Sequence, residues 1–157
     1  MVGQWDREWA SRQAVQLFAD RCNCAQAVFG TFAPKLGLDR SAAIRLATGF
    51  GVGLAMGQTC GAVSGAVMAL GLAHGGGGPD GDEAKGLTYA LAGEFFDAFR
   101  AAHGSLCCRE LIGCDPSTPE GLRLARAEDR FSRICEGVVA HAAAIVADML
   151  SGREPAP

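Results

Sequence analysis

From Leu46 to Pro79 the chain carries no Asp, Glu, Lys or Arg. An uncharged stretch of this length calls for burial on all sides, in lipid or inside a protein core. Its many glycines, its polar residues Thr48, Gln58, Thr59, Ser64 and His74, and the lack of a basic flank on one side only argue against a membrane span. A helix enclosed by other helices is the reading that remains. Within the stretch, Gly49, Gly53, Gly57, Gly61 and Gly65 recur every four residues. On a helix such a stripe lets another backbone approach closely, whereas in a loop the same glycines permit unusual torsions. Glycine costs a helix ~1 kcal/mol relative to alanine, so five in register are not filler. The spacing predicts an irregular path over 49–57 and a helix from residue 60 onward.

The remainder reads as helices as well. Trp5, Trp9, Val15 and Phe18 fall near helical spacing over 4–19, with Asp6, Arg7, Arg12 and Gln13 between them. Asn23 caps a helix through "CAQAVFGTFAPKL" that Gly37 closes in a left-handed conformation, and Asp39 or Ser41 starts a third. A fourth is expected over 59–74, followed by the loop "HGGGGPDGDE". Leu87, Leu91, Phe95 and Phe99 then form one stripe over 82–102. "SLCCRELIG" is a short helix, and Ser117 or Thr118 with Pro119 starts another. Ser132 restarts or continues the last helix to about Leu150. Strand signals are almost absent. The expectation is an all-α single-domain bundle over 1–157, with six to seven helices, a glycine-rich small-residue helix at its centre, a core over about 10–150 and a frayed tail at 151–157.

With 14 Lys and Arg against 17 Asp and Glu, the formal charge of -3 gives no reason to expect nucleic acid or anionic lipid as a partner. The first residues, "MVGQWDREWASRQ", are acidic in part and lack an apolar signal region, which reads as cytoplasmic. Seven cysteines are many for such a chain. In a reducing compartment they point to metal binding or redox chemistry, and an odd number excludes complete internal pairing.

The cysteines are Cys22, Cys24, Cys60, Cys107, Cys108, Cys114 and Cys135, and no CxxC pair occurs among them. Local spacing therefore matches no zinc finger, ferredoxin or thioredoxin-like motif. Four share a subtler context. Cys24 follows Asn23, Cys60 follows Thr59, and Cys108 and Cys135 lie three residues after Ser105 and Ser132. Each is expected in the first turn of a helix, where unpaired backbone N–H groups and the helix dipole favour a thiolate. Four convergent thiolates suit an iron–sulfur cluster or zinc. Cysteine is also a small buried hydrophobe, so packing alone is the competing account of any single one.

The segments "NCAQAVF" at 23–29, "CGAVSGAVMALGL" at 60–72 and "GSLCCREL" at 104–111, with the isolated Cys135, carry a family likeness. Together they resemble the redox-active C_GCAxxG_C_C family, whose CGAxxG signature stands here as Cys60, Gly61, Ala62 and Gly65. The likeness covers roughly residues 10–150. It implies that Cys24, Cys60, Cys108 and Cys135 are the family's four cysteines, the same set that the capping pattern selects. A related domain accompanies an iron–sulfur centre in split-Soret cytochromes. No CxxCH motif is present, so a c-type haem does not carry over.

Three functions stay open on these residues. The first is a redox protein or electron-transfer component whose quartet Cys24, Cys60, Cys108 and Cys135 holds an iron–sulfur cluster or another metal such as zinc. Gly61 and Gly65, with Cys107 and Cys114, are then candidates for cofactor contact. The second is a metal-free thiol–disulfide protein, and the third a non-catalytic module for assembly, a homodimer included, or membrane association. A redox role calls for a partner protein that the residues do not identify. Adjacent Cys107 and Cys108 diverge by about 100° on a helix, so one of them faces the core. Cys114 is a ligand, a resolving thiol or a loop residue. His74 is a loop-edge residue, His103 sits near a helix end, and His141 lies on a largely different face from Cys135. Arg109 pairs with Asp115 or lowers a thiolate pKa. Templates such as GxSxG, GK[ST] and HExxH are absent from the chain.

Overall fold

The computed structural model describes residues 5–79 and 81–156, so the expected helix start at residue 4 and the last residue of the tail lie outside it. Among the described residues there are eight α-helices: α1 (Arg7–Ala19), α2 (Cys24–Phe32), α3 (Arg40–Ala47), α4 (Gly61–His74), α5 (Asp82–His103), α6 (Cys108–Ile112), α7 (Pro119–Ala127) and α8 (Glu136–Leu150). Among these residues no strand forms, and the one β-type contact is an isolated bridge between Thr59 and Cys107. The all-α expectation holds, with one helix beyond the expected six to seven. The extra break comes after α7, where Asp129 takes a left-handed backbone (φ 51) and the chain enters α8 through a wide π-type turn at Phe131–Cys135.

Most helix starts follow from capping chemistry. Asp6 accepts from the Trp9 N–H, Asp39 from Ala42, and Thr118 from Gly121 with Pro119 just inside the helix. Asn23 and Gln26 form a reciprocal capping box on α2. Pro34 has no N–H to continue the α-helical ladder. The chain tightens there to a 3-10 turn, Ala33–Leu36, closed by Gly37 at φ 90.

Helix α4 occupies the middle and packs against α2, α5 and α8, while α1 lies across α2 and α8. Phe32, Leu70, Phe95, Phe99 and Ile145 are the large side chains sealed in the core. The approach of α4 to α2 depends on glycine. A Cβ on Gly65 would stand 2.7 Å from the Ala25 carbonyl oxygen, and one on Gly61 3.0 Å from the Ala25 nitrogen and 3.1 Å from the Cys24 Cβ.

The first residues of the tail are tied to the bundle. Asp148, buried at 5% exposure, pairs with Arg7 of α1 and, at 3.1 Å, with Arg153. Arg153 and Ser151 both donate to the Trp5 carbonyl at 3.1 Å. A buried carboxylate needs such partners, and meeting that need ties Arg7 and Arg153 to α8. No helix among the described residues is long and apolar enough to cross a membrane.

Between α3 and α4 the path is irregular, as the glycine spacing predicted. Val52, Gly53, Leu54 and Ala55 all take left-handed torsions, with φ of 54, 59, 58 and 57. Left-handed winding costs an L-residue roughly 1–2 kcal/mol, so neighbouring contacts must hold it. The Gln58 N–H bonds the Gly53 carbonyl at 2.9 Å, and the Cys108 N–H bonds the Gln58 carbonyl at 2.6 Å. Arg109 donates to the carbonyls of Met56 at 2.9 Å and Gly57 at 3.1 Å.

Candidate functional site

Four separate segments deliver cysteines to one cavity of about 310 Å³. Cys24, Cys60, Cys108 and Cys135 all line it, together with Gly61 and apolar side chains that include Phe18, Leu111, Ile134 and Val138. Cys24 is the first residue of α2, beside the Asn23 cap. Cys60 is itself the N-cap of α4, with extended ψ of 133, so Gln58 and Thr59 stand outside the helix they were expected to start. Its position is fixed by its N–H, which donates to the Leu106 carbonyl at 2.8 Å. Cys108 opens α6, and Cys135 ends the π-type turn that leads into α8. Neither Ser105 nor Ser132 caps a helix. The Ser105 hydroxyl instead accepts from the Cys107 N–H at 2.9 Å and bonds Glu110, and no side chain caps the turn after Ser132.

The electrostatics correct the expectation of four favoured thiolates. Cys60 is pushed up to about 11, chiefly by burial, even though the Ala62 and Val63 backbone N–H groups act to lower it. Cys108 is pushed up to about 12 by burial and by the nearby Cys60, Cys135, Cys107 and Cys114. Cys24 is raised well above the ordinary thiol value because it hydrogen-bonds Cys135, and burial adds to the effect. Cys135, which receives that bond, is lowered. Helix N-termini do favour thiolates, but an apolar enclosure and four sulfurs sharing it outweigh one turn of N–H groups. Of the four thiols, Cys135 is the one that gives up its proton most readily.

The remaining cysteines stand apart from the cavity wall. The Cys107 thiol donates to the Gly57 carbonyl at 3.3 Å, so Cys107 and Cys108 diverge as their adjacency required. Cys114 donates to the Gly121 carbonyl at 3.5 Å and packs against the small cluster of Cys108, Ile112, Ala125 and Cys135. Cys22 packs half-buried against the main core, and burial raises its pKa. Gly65 contacts the α2 backbone rather than the cavity. Among the described residues no group of three or more His, Cys, Asp or Glu side chains is arranged to hold a metal ion.

Arg109 pairs with Asp115 at 3.7 Å and also clamps the left-handed segment, of which Val52 and Gly53 wall the cavity. Sequence reasoning missed two features. His103 and His141 meet at 2.9 Å, brought together by α5 and α8, and no local pattern links residues so far apart in the chain. Arg126 lines the cavity one turn beyond Leu122 on α7.

No curated protein and no solved structure matches the chain significantly. A family profile described as "Putative redox-active protein (C_GCAxxG_C_C)" matches residues 22–149, a span that contains all four cavity cysteines and the packed Gly61 and Gly65. The match covers most of the length, and the chain belongs to the C_GCAxxG_C_C family of redox-active proteins.

Proposed function

We propose that the protein transfers electrons through a cysteine-bound iron–sulfur cluster, with Cys24, Cys60, Cys108 and Cys135 as its ligands. The observation that carries this reading is the convergence of cysteines from four separate segments on the wall of one cavity. Sulfurs spread around a space suit a cluster better than they suit zinc, which draws four ligands onto one point at about 2.3 Å each. A cluster held there supplies a reversible electron couple. The residues do the rest. Apolar side chains such as Phe18, Ile134 and Val138 surround the sulfurs, and the close approach at Gly61 and Gly65 sets the start of α4 beside Cys24 and Ala25 of α2. A redox partner protein gives and takes the electrons.

Anaerobic purification followed by a visible absorption spectrum and assays of iron and acid-labile sulfide tests the proposal. A brown protein with stoichiometric iron and sulfide, lost in Cys60→Ser, is expected. A colourless protein without iron after anaerobic reconstitution overturns it.

One observation favours a second reading. Cys24 and Cys135 share the cavity wall, and their interaction raises the first thiol and lowers the second, the one thiol of the quartet whose pKa is lowered. Such a pair can cycle between dithiol and disulfide. Thiol counts before and after mild oxidation, with peptide mapping, decide it. An unchanged count excludes the cycle.

A further inference from the structure

The cavity wall holds a single charged side chain. Apart from the four cysteines, its lining residues are apolar or glycine, with two exceptions, Asn23 and Arg126. Asn23 is fully engaged, since its side chain accepts from the Gln26 N–H at 2.9 Å and donates to the Thr48 carbonyl at 3.0 Å. Arg126 is exposed at the cavity's edge, and among the described residues its guanidinium makes no hydrogen bond, ion pair or ring contact. Among the described residues Arg123 and Arg133 also make no ion pair, but neither lines the cavity, and the remaining arginines near this end are occupied. Arg109 holds Met56, Gly57 and Asp115, and Arg130 holds Glu128 at 2.7 Å and the Ile112 carbonyl at 2.8 Å.

We propose that Arg126 is the positive charge of the cavity, drawing small anionic reactants toward its cysteine-lined wall. The proposal rests on the redox reading, in which the cavity cysteines meet a reactant. An apolar wall raises the strength of any charge that borders it, and no acidic side chain of the cavity lining competes for the guanidinium. An arginine offers a planar, permanently charged fork suited to a carboxylate or other oxyanion.

The test uses the full chain, reduced and stripped of metal, so it does not depend on whether a cluster binds. The native protein is alkylated with iodoacetate, which is anionic, and with iodoacetamide, which is neutral and nearly the same size. Rates are read at each cysteine by mass spectrometry. The ratio of iodoacetate to iodoacetamide rates at Cys24, Cys60, Cys108 and Cys135 is expected to fall at least about threefold in Arg126→Gln at low salt. Arg126→Lys should retain most of the wild-type ratio, and high salt should bring the wild type toward Arg126→Gln. Cys22, which does not line the cavity, is the internal reference and should keep its ratio. Equal ratios in wild type and Arg126→Gln overturn the proposal. So do cavity cysteines that react with neither reagent, because a cavity closed to small molecules leaves Arg126 nothing to attract. Failure of the redox reading shows up separately, in the iron, sulfide and disulfide assays.

Discussion

Replacing Gly65 and Gly71 by alanine, one at a time, separates the two effects of glycine in α4. Both lie inside the same helix, Gly61–His74. Alanine at either position gains about 1 kcal/mol from helix propensity and the reduced freedom of the unfolded chain. At Gly71 nothing lies within 4 Å of the added Cβ, so the gain stands alone. At Gly65 the Cβ would fall 2.7 Å from the Ala25 carbonyl oxygen, 3.1 Å from the Ala25 Cα and 3.2 Å from the Val28 Cβ. Two of those atoms are backbone and cannot swing aside, so α2 must move away from α4 as a unit. Overpacking of this kind costs about 3 kcal/mol at the upper end of its usual range, leaving Gly65→Ala about 2 kcal/mol less stable than wild type. The two variants should therefore differ by about 3 kcal/mol, which for a chain of this size corresponds to about 6–12 °C in melting temperature. Urea unfolding of the reduced proteins, followed by far-ultraviolet circular dichroism, reads the difference as a shift in midpoint at unchanged slope. A Gly65→Ala protein as stable as Gly71→Ala would refute the reasoning, because the closeness of α2 and α4 would then not depend on the missing side chain.

Further outcomes follow from the buried ionisable groups. Cys60 keeps its proton in the folded state up to about 11 against an ordinary 9.0, so the unfolded chain releases its proton first as pH rises. Stability should fall from about pH 9 to pH 11 by roughly 2–3 kcal/mol from this residue, and urea midpoints in Cys60→Ala should show a shallower alkaline decline. His103 and His141 are both lowered, mainly by burial, from an ordinary 6.5, so protonation favours the unfolded chain and stability should fall as pH drops below that value. The same titration of His141→Gln should be flatter, and an identical acid limb would count against the pair. Asp148→Asn removes the charge that Arg7 and Arg153 share and should cost roughly 2 kcal/mol. The amides that it releases first, seen by hydrogen exchange, should lie near Trp5 and in the tail.

Much of the fold was legible because its signals are local. Asn23, Asp39 and Thr118 cap helices through atoms three residues away, and Pro119 and Gly37 act through their own torsions. The break at Asp129 and the left-handed run at Val52–Ala55 were not legible in detail, since nothing in Val, Leu or Ala announces a positive φ. Tertiary hydrogen bonds from Arg109 and Cys108 hold that segment in place.

The candidate site divides in the same way. The chain alone singled out Cys24, Cys60, Cys108 and Cys135, and the four-residue glycine spacing foretold a close approach. Only the packed structure decided what the cavity does to those sulfurs. Burial and mutual proximity are properties of the whole bundle, and they overrode the local pull of helix N-termini, raising three thiols and leaving Cys135 as the one lowered. The single unpaired charge on the wall, Arg126, and the meeting of His103 with His141 are likewise products of helices brought side by side. A sequence fixes which groups are present and their local torsions. Their electrostatic surroundings come from neighbours that are distant along the chain, and these exist only once the helices have packed.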